Sequence, residues 1–401
     1  MRGVVVVSVR ARVSAAVIAL LSGLTLAGSA APVVSAEPMV AAPSSPVVTA
    51  APEPTPTPAP APDAFQRSLD GLVAVDRFPG VIAAVLEPGD GGVRDYTAGV
   101  GDLATGAAPP VNGYVRIGSN TKAFTAVVVM QLVAEGKVEL RRSIEWYLPG
   151  VVPRGKDISV RQLLQHTSGL PNYTEHMEDE DFDERRHVYR APMELLKIAF
   201  AHGQVFPPGA GWQYSNTGYV VLGLMIERIT GRPVAEEITT RVIDRLGLRE
   251  TYFPAARDES MRAPHPRGYE EDPRDDVTES DPSWAWSAGA MIATPRDLNT
   301  FFRALLVEGR LVGAPELAEM RTTVDTYDQM WPGVRYGLGL TSTPLSCGGV
   351  YWGHGGDVPG FETRGGVRDD GRAAQVAVTA GPDGRAQHLH VVAAVDRALC
   401  E

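Results

Sequence analysis

The sequence predicts an α/β fold of the α+β type, in which strands from both ends of the chain share one sheet around a helical middle. Two observations carry this. Apolar runs of strand length, bounded by glycine-rich turns, lie near residue 80 and again beyond residue 336. Between them the apolar residues recur at helical spacing. In chain order, Gly80–Leu86 and Val93–Gly101 form a strand pair joined by the turn Glu87–Gly92. Val115–Gly118 is a short strand or turn that leads into an apolar helix through Ala123–Met130. Val160–Leu164 is helical and ends near Gly169, and the spacing from Tyr219 to Ile229 predicts a long helix soon after Tyr214. Asp297–Val307 is an amphipathic helix. Strands return at Tyr336–Leu340, Val350–Gly353, Phe361–Val367 and Ala373–Ala380, and a helix from Gln387 to Leu399 closes the chain. No internal repeat interrupts this order.

The fold is expected to occupy residues 64–401, enough for one large domain or two interleaved lobes. Residues 1–36 have the layout of a secretory signal peptide. Arg2, Arg10 and Arg12 precede an apolar core beginning at Ala15, and small residues around Val34-Ser35-Ala36 or Ser29-Ala30-Ala31 suit cleavage. An uncleaved anchor is the competing reading. Ser29 rather than cysteine follows Leu26-Ala27-Gly28, so no lipid-attachment site is expected. Residues 37–63, dominated by Pro, Ala, Thr and Val, form an extended spacer. An exported location is therefore expected.

The formal charge is −11, and loss of residues 1–36 moves it to about −14. That balance argues against a nucleic-acid partner. The acidic run Glu178–Asp181 reads as a solvated loop. Cys347 and Cys400 are the two cysteines; an even count in an exported chain predicts a bridge, with two free thiols as the alternative. Nothing calls for a cofactor or a metal: His388 and His390 alternate near the C-terminus without a third ligand close in sequence.

Chemistry concentrates at Ser119-Asn120-Thr121-Lys122. Of four lysines, Lys122 alone has a serine three residues before it. Positions i and i+3 share a helix face, so the amine reaches the hydroxyl. A neutral amine there can take the proton that keeps a serine from being a good nucleophile. The same spacing also fits a serine capping a helix above a solvated lysine. Two further triplets, each unique in the chain, join it: Tyr214-Ser215-Asn216 and His354-Gly355-Gly356. No Gly-x-Ser-x-Gly elbow accompanies them.

The order Ser-x-x-Lys, Tyr-x-Asn, His-x-Gly resembles the serine β-lactamase and D-alanyl-D-alanine carboxypeptidase family, in the branch of class C β-lactamases, DD-peptidases and related esterases. Leu163-Leu164-Gln165-His166-Thr167-Ser168-Gly169-Leu170, Ser287–Leu298 and Tyr336–Leu340 are similar to further family segments, and the likeness runs from about Phe65 to the C-terminus. It implies a mostly antiparallel sheet flanked by helices beside an all-helical lobe, with the active site in the cleft between them. It implies Ser119 as nucleophile, with Lys122 and Tyr214 handling protons. Asn216 would hold Lys122 and donate to the substrate, and His354 would donate to substrate or Tyr214. The N–H groups of Ser119 and Asp357 would form an oxyanion hole. Gly355 and Gly356 would let substrate backbone lie close. It also supports the Cys347–Cys400 bridge. Trp284 and Trp212 are candidate cleft walls, and His166 reads as structural.

The implied activity is an exported serine hydrolase of the D-Ala-D-Ala carboxypeptidase type, acting on cell-wall peptide and acylated by β-lactams. An esterase or β-lactamase on the same scaffold is the alternative, and a non-catalytic penicillin- or peptide-binding module a third. The substrate is a small molecule or peptide: a peptidoglycan stem peptide, a β-lactam or an ester. One departure bears on this choice. Asp357 follows the third triplet, and Thr341-Ser342-Thr343-Pro344 stands upstream where relatives carry an arginine for the substrate's terminal carboxylate.

Overall fold

The computed structural model describes residues 63–89, 91–177, 182–270, 275–381 and 384–401. The expected leader, the spacer except Asp63, and the acidic run Glu178–Asp181 lie outside the described residues. Among the described residues, nine strands make the main sheet: β1 (Gly80–Leu86), β2 (Val93–Gly99), β3 (Val324–Asp325), β4 (Arg335–Tyr336), β5 (Thr341–Pro344), β6 (Val350–Gly353), β7 (Gly356–Val358), β8 (Phe361–Val367) and β9 (Ala373–Val378). Their order is β2-β1-β9-β8-β6-β5-β4-β3, with β7 on β8, and every ladder is antiparallel. The shared sheet follows from β1 pairing with β9, Val81 opposite Val378 and Leu86 opposite Ala373.

β1 is buried at every position, and its alternation explains why. Val81, Ala83 and Val85 pack with Val376 and Val378 of β9 against α1 (Ala64–Ala74) and the terminal helix Arg385–Cys400. Ile82 and Leu86 face the other core, with Phe301 and Leu305 of the helix Pro295–Leu306. Successive strand residues point to opposite faces, so a strand covered on both sides reads as an unbroken apolar run. Asp63 belongs to the fold rather than the spacer. Its carboxylate caps α1 by accepting from Gln66 N at 2.7 Å and also accepts from the Tyr96 hydroxyl at 2.9 Å.

The nucleophile helix α2 (Thr121–Ala134) is buried from Thr121 to Leu132, as suits a helix apolar all round. It packs against α3 (Asn216–Thr230), which realises the helix expected after Tyr214. The expected strand Tyr336–Leu340 is corrected. Pairing stops at Tyr336 and resumes at Thr341, because Gly339 turns at φ +72° and Gly337 presses on Met320 O, which a Cβ would meet at 2.1 Å. Cys347 and Cys400 are bonded, tying the terminal helix to the β5–β6 connection.

Candidate active site

Ser119 lies in the 3₁₀ turn Gly118–Asn120 that opens α2. Gly118 at φ +48° has no room for a side chain; a Cβ there would fall 2.9 Å from Asp357 N. One on Gly356 would fall 2.0 Å from Ile117 O and 2.9 Å from Ser119 N. The nucleophile turn and β7 therefore meet backbone to backbone, which brings the N–H groups of Ser119 and Asp357 to one place, as an oxyanion hole requires. The two glycines also serve the protein's own packing. Gly356 admits the protein's own nucleophile turn, and Gly355 admits Arg364, whose guanidinium a Cβ would meet at 2.7 Å.

Lys122 is fully buried, and its Nζ lies 2.9 Å from Ser119 Oγ, 2.7 Å from Asn216 Oδ1 and 2.8 Å from Ala288 O. Burial pushes its pKa well below the ordinary lysine value, with the Asp357 carboxylate pulling the other way. A neutral amine has two N–H donors and one lone pair. Asn216 Oδ1 and Ala288 O can only accept, so they take both hydrogens. The lone pair is left for the Ser119 hydroxyl, the arrangement a general base needs.

The Tyr214 ring lies beneath Lys122, its centroid 4.9 Å from Nζ. Its buried hydroxyl makes no well-formed hydrogen bond among the described residues, and its polar neighbour is the Ser119 hydroxyl. Burial raises its pKa, opposed by the nearby Ser119 hydroxyl, so the resting group is a phenol that carries a proton rather than a phenolate that takes one. Asn216 holds Lys122 as expected. Its Nδ2 faces Asn172 Oδ1 and Thr174 Oγ1, both at 3.3 Å, before any substrate.

His354 departs from expectation. It is buried, its Nε2 is 2.8 Å from the Tyr336 hydroxyl, and its Nδ1 meets the carbonyl of Gly355. Burial, with Lys122 nearby, lowers its pKa to about 3. Both ring nitrogens of this neutral imidazole are committed to the protein, so His354 braces the site from behind and has no donor left for substrate or Tyr214.

Sequence reasoning missed the cluster behind Asp357. The buried Arg364 of β8 donates through Nη2 to Asp357 Oδ1 at 2.6 Å and reaches Glu362 Oε1 at 2.9 Å and His388 Nδ1 at 2.8 Å. Its Nη1 holds Gly356 O and Thr363 O. Burial opposes the charge on Arg364, and Asp357 and Glu362 together more than offset that, raising its pKa. Asp357, Glu362 and His388 stand close enough to ligate a metal, but the guanidinium sits against all three and fills the cation's place. The terminal helix delivers His388, a convergence that no local motif signals. Trp284 is half-buried and lines a small cleft with Thr174, Met177, Arg185, Arg186 and Pro359. That cleft reaches the site through Thr174, which touches Asn216, and Pro359, which follows β7. Trp212 is buried behind Tyr214, with ring centroids 6.5 Å apart.

Known proteins place this geometry. A D-stereospecific amidohydrolase from Streptomyces sp. is 39% identical, with a TM-score of 0.76 over 83% of this chain and 98% of that one. The D-amino acid amidase of Ochrobactrum anthropi SV3, solved with L-phenylalanine amide, is 30% identical with a TM-score of 0.75 over 84% and 96%. Esterase EstB of Burkholderia gladioli is 30% identical over 214 residues, 49% of this chain and 52% of that protein, so the match spans about half of that relative. The Beta-lactamase family model matches residues 65–396, and a match of that extent makes the chain a member of the Beta-lactamase family and thereby a serine hydrolase.

Proposed function

We propose that the chain is an exported hydrolase that acylates Ser119 with D-aminoacyl amides or esters, in preference to peptides ending in a free D-Ala-D-Ala carboxylate. The carrying observation is the charge at the third motif. Asp357 is 60% exposed beside the oxyanion donors, and the cation touching it, Arg364, is buried between Asp357 and Glu362. One guanidinium is shared between two carboxylates, and it reaches Asp357 from the buried side. The Thr341 hydroxyl is buried and donates to Gly353 O at 3.1 Å, so it does not replace a carboxylate-binding group. A leaving-group carboxylate about 4 Å from Asp357 is repelled by about 1 kcal/mol in water and about 4 kcal/mol at a protein-like dielectric. The related amidohydrolase, amidase and esterase support amide and ester substrates. The paired Cys347 and Cys400 fit an oxidising compartment outside the cytoplasm, where a leader at residues 1–36 would direct the chain.

In the reaction, Lys122 takes the Ser119 proton as Oγ bonds to the carbonyl carbon, and the two N–H groups hold the oxyanion. Tyr214 gives its proton to the departing amine or alkoxide and recovers one from Lys122. Water then attacks the acyl-enzyme by the reverse proton path and releases the acid. The test compares kcat/KM for D-phenylalanine amide, its L-isomer and a D-Ala-D-Ala-terminated peptide. The D-amide should exceed the peptide by at least about fivefold, the equivalent of 1 kcal/mol. A peptide turned over faster than the amide returns the reading to a carboxypeptidase.

A further inference from the structure

His166 does no chemistry in the scheme above, yet it brackets the tyrosine that does. Its carbonyl accepts from Gln213 N at 3.1 Å, and its ring Nδ1 accepts from Ser215 N at 3.2 Å. One residue thus fixes the backbone on both sides of Tyr214. The imidazole also packs on the Tyr214 ring, with centroids 4.3 Å apart and planes tilted by 34°. On its other sides lie Tyr336 at 4.6 Å, Tyr219 at 5.5 Å and Trp212 at 5.9 Å. His166 achieves this from a left-handed backbone, φ +63°, which non-glycine residues rarely occupy. Such conformations cost on the order of 1 kcal/mol or more and persist where the surroundings impose them. Because Nδ1 accepts, the ring proton resides on Nε2, which is buried without a partner among the described residues.

We propose that His166 is a positioning residue for Tyr214, its left-handed turn and Nδ1 acceptor aiming the phenol at Ser119 and the leaving group. The inference rests on acylation of Ser119 as described above. Loss of His166 therefore matters only as far as Tyr214 works, a dependence that a core-filling residue lacks.

A double-mutant cycle tests this, with Ser119 acylation by a fluorescent penicillin or fluorophosphonate followed by mass spectrometry. His166→Gly keeps the backbone freedom and removes the acceptor. It should slow acylation roughly 100-fold, the scale of an ångström-sized misplacement. In a Tyr214→Phe background the same change should cost less than about threefold, since the two residues act as one unit. His166→Asn tolerates the left-handed turn and places Oδ1 where Nδ1 stood, so it should stay within about tenfold of wild type. Additive losses in the cycle, an unaffected His166→Gly, or a His166→Asn no better than glycine overturns the inference. Should His166→Gly fail to fold, His166→Asn decides alone: labelling more than about tenfold below wild type overturns the inference. If wild-type Ser119 takes no label at all, the acyl-enzyme reading itself fails, a result distinct from an additive cycle on a labelled enzyme.

Discussion

Asn216→Asp tests whether Lys122 is the base. In the wild type a neutral amide oxygen sits 2.7 Å from Lys122 Nζ. A carboxylate there attracts an ammonium by about 6 kcal/mol at an effective dielectric of about 20. Even a quarter of that stabilisation, about 1.4 kcal/mol, cuts the neutral amine tenfold. The two ways of sharing the proton agree in outcome. As ammonium and carboxylate, Lys122 has no lone pair; as amine and carboxylic acid, the new O–H takes that lone pair in place of Ser119. Labelling of Ser119 near pH 7 should fall between tenfold and about 10⁴-fold, with partial recovery as pH rises. Asn216→Leu serves as the control: it leaves one amine hydrogen unpaired and slows labelling without moving the pH profile. Wild-type rates for Asn216→Asp across pH 6–9 would refute Lys122 as the base.

Three further outcomes follow from packing and charge. Gly356→Ala places a Cβ 2.0 Å from Ile117 O, so the nucleophile turn must shift; activity should fall at least about 100-fold and stability by about 1–3 kcal/mol, whereas Gly71→Ala in α1, with nothing within 4 Å of the new Cβ, should stabilise by about 0.5–1 kcal/mol in chemical denaturation. His354, held neutral by burial down to about pH 3, takes a proton near pH 6.5 once unfolded, so the unfolded chain binds more protons below that pH and stability must fall as pH drops from about 6.5. Thermal midpoints at pH 6.5 and 4.5 should differ less in His354→Gln than in wild type, and an identical difference in both contradicts the buried neutral imidazole.

What the sequence made legible divides along physical lines. Gly80–Leu86 and Phe361–Val367 matched their strands to the residue, because both faces of the sheet are covered. Ser119, Lys122, Tyr214 and Asn216 were legible because local spacing plus chain order brings them together on the starts of two packed helices. Tyr336–Leu340 misled because alternating glycines imitate the period of a strand while Gly339 turns the chain. α1 went unread although Asp63 caps it and Phe65, Leu69 and Leu72 share its buried face. The Arg364 cluster had no local signal at all. Its members are a strand residue, its neighbour two positions back, the central aspartate of a three-residue strand and a histidine on a helix that docks across the sheet.

The sheet order joins these parts causally. β7 leaves the line of the main sheet and, among the described residues, pairs only with β8, so β8 must fix the edge that the nucleophile turn touches. It does so from both directions, through the ladder between Gly356 and Thr363 and through Arg364, which grips Gly356 O and Asp357 at once. A buried arginine with one carboxylate partner removed leaves an uncompensated charge, which is costly enough to move the structure. Glu362, fully buried and 2.9 Å from the same guanidinium, therefore holds Arg364 in place whether or not Asp357 swings out toward a substrate. The oxyanion donors stay fixed while the one exposed carboxylate of the cluster remains free to discriminate among leaving groups.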